Sequence, residues 1–280
     1  MDNVKITGPE INVYEKGDID YSDLHHKKEW TNDDDYFFED NDSDTLLITF
    51  AGMGWKNSPP TFIFYNFLKS YTNVDKLFLR DLKMRYYIAG LKNSTNSYRE
   101  TIKFYKNLIG KKKYKRVVGL GCSAGGFAAI LYGLQLKFDK IIAFSPQTVI
   151  NEKKDDLIGD KYNAPRTCQW LTGLNKEDEK YQKALDLINF KPFKTDIDIH
   201  YSLRGNNGID KKHALYLNCD KRCKIIEHPG NDHMVALTLR NNGKLKKIID
   251  ESLQLEDAGA GEGEDAGAGE GEDAGAGEGE

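Results

Sequence analysis

The chain has few of the features that mark disulfide-stabilised or membrane proteins. Only four of its 280 residues are cysteine, and they are unevenly spaced, which argues against a disulfide framework and favours a reducing compartment. No apolar run approaches the about 18 residues that cross a bilayer, and the first residues contain no apolar signal segment. We therefore expect a cytoplasmic protein with no membrane span.

Concentrated positive charge is also missing, apart from one short run at Lys111–Arg116. The formal net charge is −4, but nine acids lie in the last 24 residues, so the rest of the chain carries about +5 in scattered positions. A nucleic-acid-binding face concentrates its basic residues, so we expect no nucleic-acid partner. The length before those 24 residues suits one large domain.

The end of the chain has no large apolar side chain at all. Residues 257–280 are three copies of the octapeptide DAGAGEGE. Such a segment cannot bury enough apolar surface to offset the entropy of ordering it. We predict a disordered, acidic, glycine-rich tail over 256–280, and its perfect repetition is compatible with an engineered origin. Residues 1–255 are predicted to form the folded domain.

What the chain does have is a regular alternation of apolar strand-like runs and amphipathic helical segments. The predicted strands are Val4–Ile6, Ile11–Tyr14, Thr45–Phe50, Lys76–Leu79, Arg116–Leu120, Lys140–Phe144, Ile197–Leu203 and Cys223–Glu227, with acidic loops at 32–35 and 39–44. The predicted helices are Thr61–Tyr71, Ser97–Leu108 closed by Gly110, a helix ending near Leu136, and Val235–Leu253 with a break at 241–243. This order predicts an α/β fold with a mostly parallel central sheet and helices on both faces.

The segment VVGLGCSAGGFAAI, residues 117–130, passes from a β-branched run through a glycine-rich turn into a helix-forming stretch. Residues 121–125 fit the pattern G-x-S-x-G, in which a serine at the apex of a strained turn acts as a nucleophile. Its neighbours must be small because the turn is so sharp. Ser123 is therefore the candidate nucleophile. A purely structural turn is the alternative, and a thiol nucleophile at Cys122 is disfavoured because it is not at the apex.

Two other kinds of site fit this sequence less well. Glycines 119, 121 and 125 approach a dinucleotide-binding fingerprint, but that fingerprint requires an acid at the end of the next strand, which here ends in Ser-Pro-Gln. A zinc site is disfavoured because its H-x5-C-x3-C-x4-H spacing fits no usual motif; its members would be His213, Cys219, Cys223 and His228. We expect neither a nucleotide cofactor nor a metal.

A catalytic serine needs a base to take its proton and an acid to orient that base, in the chain order serine, acid, histidine. His233 lies in the loop after the last predicted strand, and Asp210 lies in the loop after the preceding one. They are the predicted base and acid. His228 is the main alternative base, and Asp210 has an alternative role as a helix N-cap. Weaker candidates are His200 and His213 for the base and Glu177, Asp178, Asp196, Asp198 and Asp232 for the acid.

Acyl transfer also needs two hydrogen-bond donors about 3 Å from the developing oxyanion. One is expected from the backbone N–H of Ala124, directly after the serine. The second is expected from the glycine-flanked loop at 52–54, with Met53 as the donor. The alternative is that this glycine pair only makes a turn. Tyr86 and Tyr87 follow another strand end and either line a substrate cleft or pack in the core.

At these segments the chain resembles the α/β-hydrolase superfamily, over roughly residues 40–255. The segments FAGMG and GCSAGG and the loops of Asp210 and His233 match its oxyanion, nucleophile, acid and base positions. Phe50-Ala51-Gly52 stands where many relatives have His-Gly. The segments PPTFIFYNFL, LRDLKMRYYIAG and AFSPQ are similar to hydrolase-like proteins associated with bacterial surface-glycan synthesis, which implies ester or acyl chemistry on glycans.

These observations and the resemblance imply a serine hydrolase that cleaves a carboxylic ester or thioester through an acyl-enzyme, on a small-molecule or glycan substrate and without a cofactor. Residues 147–195 lie where this fold usually inserts a lid. An O-acyltransferase that passes the acyl group to a glycan hydroxyl is the first alternative, and a non-catalytic hydrolase-like binding protein is the second. The oligomeric state stays open.

Overall fold

The computed structural model describes residues 34–54, 59–160, 171 and 174–255. The strands predicted at 4–6 and 11–14, part of the predicted lid and the acidic tail lie outside these residues. The described strands form one seven-stranded sheet with the spatial order β1-β3-β2-β4-β5-β6-β7. Their bounds are β1 (Tyr36–Glu39), β2 (Thr45–Phe50), β3 (Asp75–Leu79), β4 (Arg116–Cys122), β5 (Lys140–Phe144), β6 (Asp196–Ser202) and β7 (Cys223–His228).

Seven α-helices accompany the sheet in the described part of the chain. They are α1 (Tyr98–Ile109), α2 (Ala124–Leu136), α3 (Lys154–Ile158), α4 (Glu179–Ala184), α5 (Ile209–Tyr216), α6 (Val235–Asn241) and α7 (Lys244–Leu253). Short 3-10 helices lie at Phe67–Ser70, Leu187–Phe190 and Gly205–Gly208. Among the described residues, none of the helices combines the length and apolar character needed to cross a membrane.

Every neighbouring pair of strands is parallel except β1 and β3, which pair antiparallel at one edge. Parallel strands require crossover connections, and the helices that provide them cover both faces of the sheet. One apolar core lies between the sheet and α1 and α2, and a second lies between the sheet and α6 and α7. The predicted α/β class, with a mostly parallel sheet and helices on both faces, is confirmed.

Helix α2 is deeply buried, and its position fixes the turn before it. Its first ten residues, 124–133, are all buried. A helix that is apolar all round must lie in a core, and the small residues at its start allow close contact with β2 and β4. The backbone at position 123 is therefore held between β4, which it follows, and the buried start of α2.

The structure corrects two predictions of secondary structure. Residues 36–39, part of which we assigned to an acidic loop, form the edge strand β1. The helix predicted at Thr61–Tyr71 is instead a turn followed by the 3-10 helix at 67–70, and Phe64 has a left-handed φ of 69°. The aromatic spacing that indicated a helix serves another purpose, because Phe62, Phe64 and Tyr71 anchor an irregular segment in the second core.

Candidate active site

Ser123 lies at a sharp turn between the end of β4 and the start of α2. Its φ of 54° and ψ of −119° are unusual for a residue with a side chain. The turn is held by its neighbours: the N–H of Ser123 donates to the carbonyl of Phe144 at 2.9 Å, and its carbonyl accepts from the N–H of Phe127 at 3.0 Å. The strained backbone thus presents the hydroxyl at the carboxyl edge of the sheet.

The glycines on either side of the serine are required by close backbone contacts. A Cβ at Gly121 would lie 2.2 Å from the carbonyl oxygen of Gly125, and a Cβ at Gly125 would lie 2.0 Å from that of Phe50. No real Cβ comes so near a backbone atom, so neither position accepts a side chain. The G-x-S-x-G spacing therefore has a direct packing explanation here.

Three predicted residues meet in one hydrogen-bonded chain. The Oγ of Ser123 lies 3.0 Å from Nε2 of His233. The Nδ1 of His233 lies 2.8 Å and 3.0 Å from the two carboxylate oxygens of Asp210. An ionised carboxylate can only accept hydrogen bonds, so Nδ1 carries the imidazole proton and Nε2 accepts from the serine hydroxyl. This arrangement can activate an oxygen nucleophile.

Asp210 is 1% exposed and sits in the first turn of α5. The helix begins after a tight loop in which Asn206, Asn207 and Gly208 all have left-handed φ angles, and its N-cap is Gly208 rather than Asp210. A Cβ at Gly205 would lie only 2.4 Å from Oδ2 of Asp210. The glycine therefore allows the carboxylate to lie directly against the loop backbone, facing His233.

A buried histidine one turn after Asp210 fixes helix α5. The Nδ1 of His213 accepts the N–H of Thr148 at 3.1 Å, and the Thr148 hydroxyl donates to the carbonyl of His213 at 3.0 Å. Burial lowers the pKa of His213 despite the nearby Asp160 carboxylate, so its ring is neutral. The weak candidate base His213 thus joins the helix that carries Asp210 to the segment after β5.

The charges around His233 favour its protonated form. Burial by itself disfavours the imidazolium, but the hydrogen bond and charge of Asp210, together with the charges of Asp232 and Asp160, outweigh it and raise the pKa of His233. Asp232 also accepts the N–H of Met234 at 2.8 Å, which fixes the turn into α6. A histidine in these surroundings can accept a proton and keep it during a reaction.

The alternative base is engaged elsewhere, and the alternative nucleophile is buried. The Nε2 of His228 lies 3.0 Å from Nδ1 of His200, and the two rings stack with centroids 5.2 Å apart. Burial, with the charges of His228, Lys140 and Lys224, lowers the pKa of His200 to about 3. Cys122 is buried, and burial raises the pKa of its thiol to about 12. A thiol with that pKa is protonated at neutral pH and is a poor nucleophile.

A narrow cleft lies beside the serine turn. It is lined by both predicted oxyanion residues and by five others: Met53, Ala124, Ala51, Gly52, Asp81, Tyr86 and Tyr87. A Cβ at Gly52 would lie 3.8 Å from Cβ of Ser123, which places this loop against the turn. The N-terminus of α2 also starts here, and its partial positive charge favours a developing anion.

Sequence reasoning did not identify Asp81 as a site residue. Its carboxylate accepts the backbone N–H groups of Lys83, Arg85 and Tyr87 at 3.0, 2.6 and 2.7 Å. The sequence signal that could have identified it is its position two residues after the end of β3, at the same carboxyl edge as the other site loops. Within the described ranges, no group of three or more His, Cys, Asp or Glu side chains is arranged to hold a metal ion.

Comparisons with known proteins give matches in structure only. No family model and no curated protein matches the chain. The capsule O-acetyltransferase of Neisseria meningitidis serogroup A is 18% identical, with a TM-score of 0.56 over 77% of this chain and 90% of that one. Est1E from Butyrivibrio proteoclasticus, solved with ferulic acid, is 15% identical, with a TM-score of 0.50 over 77% of this chain and 94% of that one.

A third similar structure is the acylaminoacyl peptidase of Pyrococcus horikoshii. It is 12% identical, with a TM-score of 0.51 over 76% of this chain and 37% of that one. All three proteins are of the α/β-hydrolase type, as the segments around Ser123 led us to expect. The strand order, the parallel sheet and these likenesses together show that the chain has the α/β-hydrolase fold.

Proposed function

We propose that the protein is a serine hydrolase that cleaves a carboxylic ester or thioester through an acyl-enzyme on Ser123. The observation that supports this most strongly is the hydrogen-bonded chain from Asp210 through His233 to the serine hydroxyl. Nucleophile, base and orienting acid in this order make a serine hydroxyl reactive. The solved structures of similar fold include an acetyltransferase and a peptidase, which also favours an enzyme.

In the first half of the proposed reaction, Oγ of Ser123 attacks the carbonyl carbon while its proton moves to Nε2 of His233. The carbonyl oxygen becomes an oxyanion, which the N–H groups of Ala124 and Met53 stabilise. The tetrahedral intermediate then collapses: the bond to the leaving alcohol or thiol breaks, and the leaving group takes the proton from Nε2. Removing one oxyanion donor typically costs about 2.7–4 kcal/mol of barrier.

In the second half, water attacks the carbonyl carbon of the acyl-enzyme and gives its proton to Nε2 of His233. The bond to Oγ breaks, the proton returns to Ser123, and the carboxylic acid leaves. Asp210 keeps its negative charge throughout; it orients the ring and stabilises the imidazolium. These steps balance without a cofactor.

The second candidate function is an O-acyltransferase in which a glycan hydroxyl replaces water. What favours it is the likeness to the capsule O-acetyltransferase, a protein also solved in complex with CoA. An acyl-CoA thioester and an acyl ester are therefore both useful donors to assay. Product analysis in the presence of sugar acceptors separates the two functions, because a transferase yields an acylated sugar and a hydrolase yields only the free acid.

A fluorophosphonate probe tests the proposal that both functions share. We expect stoichiometric labelling of the wild-type protein that disappears in Ser123→Ala and is much slower in His233→Ala. His228→Ala is the matched control, because His228 pairs with His200, and it should label at the wild-type rate. A folded wild-type protein that does not label would instead indicate the non-catalytic binding protein.

We also propose that the protein works in the cytoplasm.

We propose in addition that residues 147–195 act as a lid over the site. The contact between Thr148 and His213 supports a lid, because it ties the start of this segment to the helix that carries Asp210. Deleting residues 161–170, which leaves the core residues Leu171, Tyr181 and Leu185 in place, should then alter KM for bulky substrates more than for small ones, and unchanged KM values would contradict a lid.

A further inference from the structure

Residues 147 and 148, here called the bridge, contact both the serine turn and the helix that carries the acid. The backbone N–H of Gln147 donates to the carbonyl oxygen of Ser123 at 3.4 Å. Thr148 bonds to His213 of α5 through both its N–H and its hydroxyl. Asp210 lies one turn before His213 in the same helix. Two consecutive residues therefore connect the nucleophile and the acid.

The bridge has little freedom to move. Both of its side chains are buried. The residue before it packs against the start of α2, because a Cβ at Gly126 would lie 2.9 Å from Cβ of Pro146. A shift of the bridge would therefore change the position of the serine turn relative to α5.

A buried ion pair, formed by Lys154 and Asp160, contacts the bridge. The Nζ of Lys154, at the start of α3, lies 2.8 Å from Oδ2 of Asp160 and also donates to Oε1 of Gln147. The same oxygen of Asp160 lies 3.9 Å from Nε2 of His213. The ion pair thus binds one bridge residue directly and faces the histidine that binds the other.

Stability alone does not explain these polar groups. Taking two charges out of water costs solvation energy, so a hydrophobic pair of similar volume is often as stable or more stable. Because Nδ1 of His213 accepts the N–H of Thr148, the ring proton is on Nε2, which is buried without a hydrogen-bond partner among the described residues. An unpaired buried donor is a further cost. Costly polar groups in a core are expected where function requires a defined geometry.

We infer that the bridge, the buried ion pair and His213 form a positioning network that holds Asp210 in place relative to Ser123. The network acts through the Asp210 carboxylate, which must meet Nδ1 of His233 at hydrogen-bond distance. A displacement of about 1 Å at such a group can lower a rate on the order of 10²-fold. This inference rests on the proposed function, since the position of the acid matters only if Ser123 is the nucleophile.

The test is a double-mutant cycle between His213 and Asp210, with the rate of fluorophosphonate labelling of Ser123 as the readout. Intact-protein mass spectrometry follows the labelling at a temperature below the unfolding transition of every variant. His213→Leu removes the nitrogen that accepts the Thr148 N–H, and Asp210→Asn removes the group on which the network acts. A general structural defect lowers the rate by the same factor in both backgrounds, whereas a positioning defect does not.

We expect His213→Leu to lower the labelling rate about 10²-fold when Asp210 is present and by less than about twofold beside Asp210→Asn. His213→Asn should recover about 10-fold of that loss, because its side-chain oxygen can still accept the Thr148 N–H and one hydrogen bond is worth about that factor.

Thr148→Val covers the case in which the leucine variant does not fold. It keeps the shape of the side chain but removes the hydroxyl that donates to the carbonyl of His213, and it should slow labelling about 10-fold when Asp210 is present. Thr195→Val is the matched control, because the buried hydroxyl of Thr195 has no hydrogen-bond partner among the described residues. It should label at the wild-type rate.

The ion pair is tested by replacing both partners at once, Lys154→Met with Asp160→Leu, so that no buried charge is left unpaired. We expect a folded protein whose labelling is slowed about 10-fold or more, again only when Asp210 is present. A folded double variant with the wild-type rate would remove the ion pair from the network.

Equal factors in the two backgrounds, or wild-type rates in folded His213→Leu and Thr148→Val, would overturn the inference and leave the proposed function intact. Failure of the fluorophosphonate to label Ser123 in the folded wild type would instead remove the proposed function, and with it this inference.

Discussion

The chemical roles of single residues are set by which atoms face each other. Asp210 presents only acceptors to Nδ1 of His233, so Nε2 is left to accept the hydroxyl of Ser123. An amide of the same shape can donate a hydrogen bond to Nδ1, which would favour the tautomer that carries its proton on Nε2. In that tautomer Nε2 cannot accept the proton of the Ser123 hydroxyl. The activity should therefore depend on the charge and not on the volume at position 210.

Asp210→Asn should lower kcat on the order of 10⁴-fold, as expected for an orienting acid that fixes the tautomer, while the fold is kept. Asp232→Asn is the comparison, because Asp232 accepts the N–H of Met234 and the hydroxyl of Thr238 and acts on the ring through its charge. Steady-state kinetics measure the loss of kcat in each variant. Equal losses in the two would contradict the assignment of Asp210 as the acid.

The pH dependence follows from the direction of the His233 pKa. The base works only when neutral, and its pKa is raised because Asp210, Asp232 and Asp160 outweigh burial. The acid limb of kcat/KM should therefore have its midpoint above about 6.5, the ordinary histidine value. Removing the charge in Asp232→Asn should move the midpoint to lower pH, and an unchanged midpoint would argue against His233 as the titrating base.

The main residues of the candidate site could be predicted from the sequence because their chain order is informative. Ser123, Asp210 and His233 each follow a recognisable strand in the order that the chemistry requires. Gly205 and Asp81 could not be predicted in the same way. Their roles depend on backbone groups that approach only in the folded chain: a carboxylate oxygen 2.4 Å from a Cβ position in one case and three N–H groups in the other.

At the scale of elements, the serine turn depends on how closely α2 approaches β2. Gly125→Ala would place a Cβ 2.0 Å from the carbonyl oxygen of Phe50 and 2.6 Å from that of Ala51. Backbone atoms cannot yield easily, so we expect a loss of unfolding free energy of about 3 kcal/mol, at the upper end of overpacking effects. Urea denaturation measures it.

Gly133→Ala in the same helix is the control for that change. Its Cβ would meet Cδ1 and Cγ1 of Ile141 at 2.5 and 2.8 Å, but both are side-chain atoms and not backbone atoms. The loss should therefore be clearly smaller than at Gly125. If the two variants were equally destabilised, close packing of the turn would not be the reason for its glycines.

Two buried tyrosines offer a test of how the oxyanion loop is held. The hydroxyl of Tyr87 binds the carbonyls of Ala51 and Leu79, so Tyr87→Phe should cost about 1–3 kcal/mol of stability and also lower kcat by displacing residues 52–54. The hydroxyl of Tyr105 has no hydrogen-bond partner among the described residues. Tyr105→Phe should therefore be neutral or stabilising, with unchanged kcat.

Thermal unfolding and steady-state kinetics of these two tyrosine variants provide the check. Both rings pack edge-on against Phe50, with centroids 5.7 and 6.0 Å away, so the variants differ chiefly in the bonding of the hydroxyl. Equal effects in the two would mean that the hydroxyl of Tyr87 does not hold the loop.

Elements with continuous apolar runs were predicted at their observed bounds, as for β2 and β5. The edge strand β1 was not, because its alternating exposed and half-buried residues lie beside acids and gain their pairing only from β3. The segment 61–71 shows the converse: its aromatic residues are spaced as in a helix, yet they are anchored in the core through a turn. Tertiary packing decided both cases.

At the scale of the whole molecule, the topology assembles the site from distant parts of the chain. Ser123 and His233 are 110 positions apart, and Asp210 and His233 are 23 apart, yet all three lie at the carboxyl ends of the parallel strands. This is where open α/β sheets bind ligands. Their meeting at one edge of the sheet is thus a consequence of strand order and direction.

The central claim is that Ser123 carries an acyl group during turnover, and one measurement tests it directly. Wild-type protein is mixed with p-nitrophenyl acetate, quenched in acid within the first turnover, digested and examined by mass spectrometry. The account predicts one acetyl group per protein, on the peptide that contains Ser123, formed together with a burst of p-nitrophenol and absent in Ser123→Ala. Turnover without acetyl on Ser123, or equal turnover by Ser123→Ala, would contradict it.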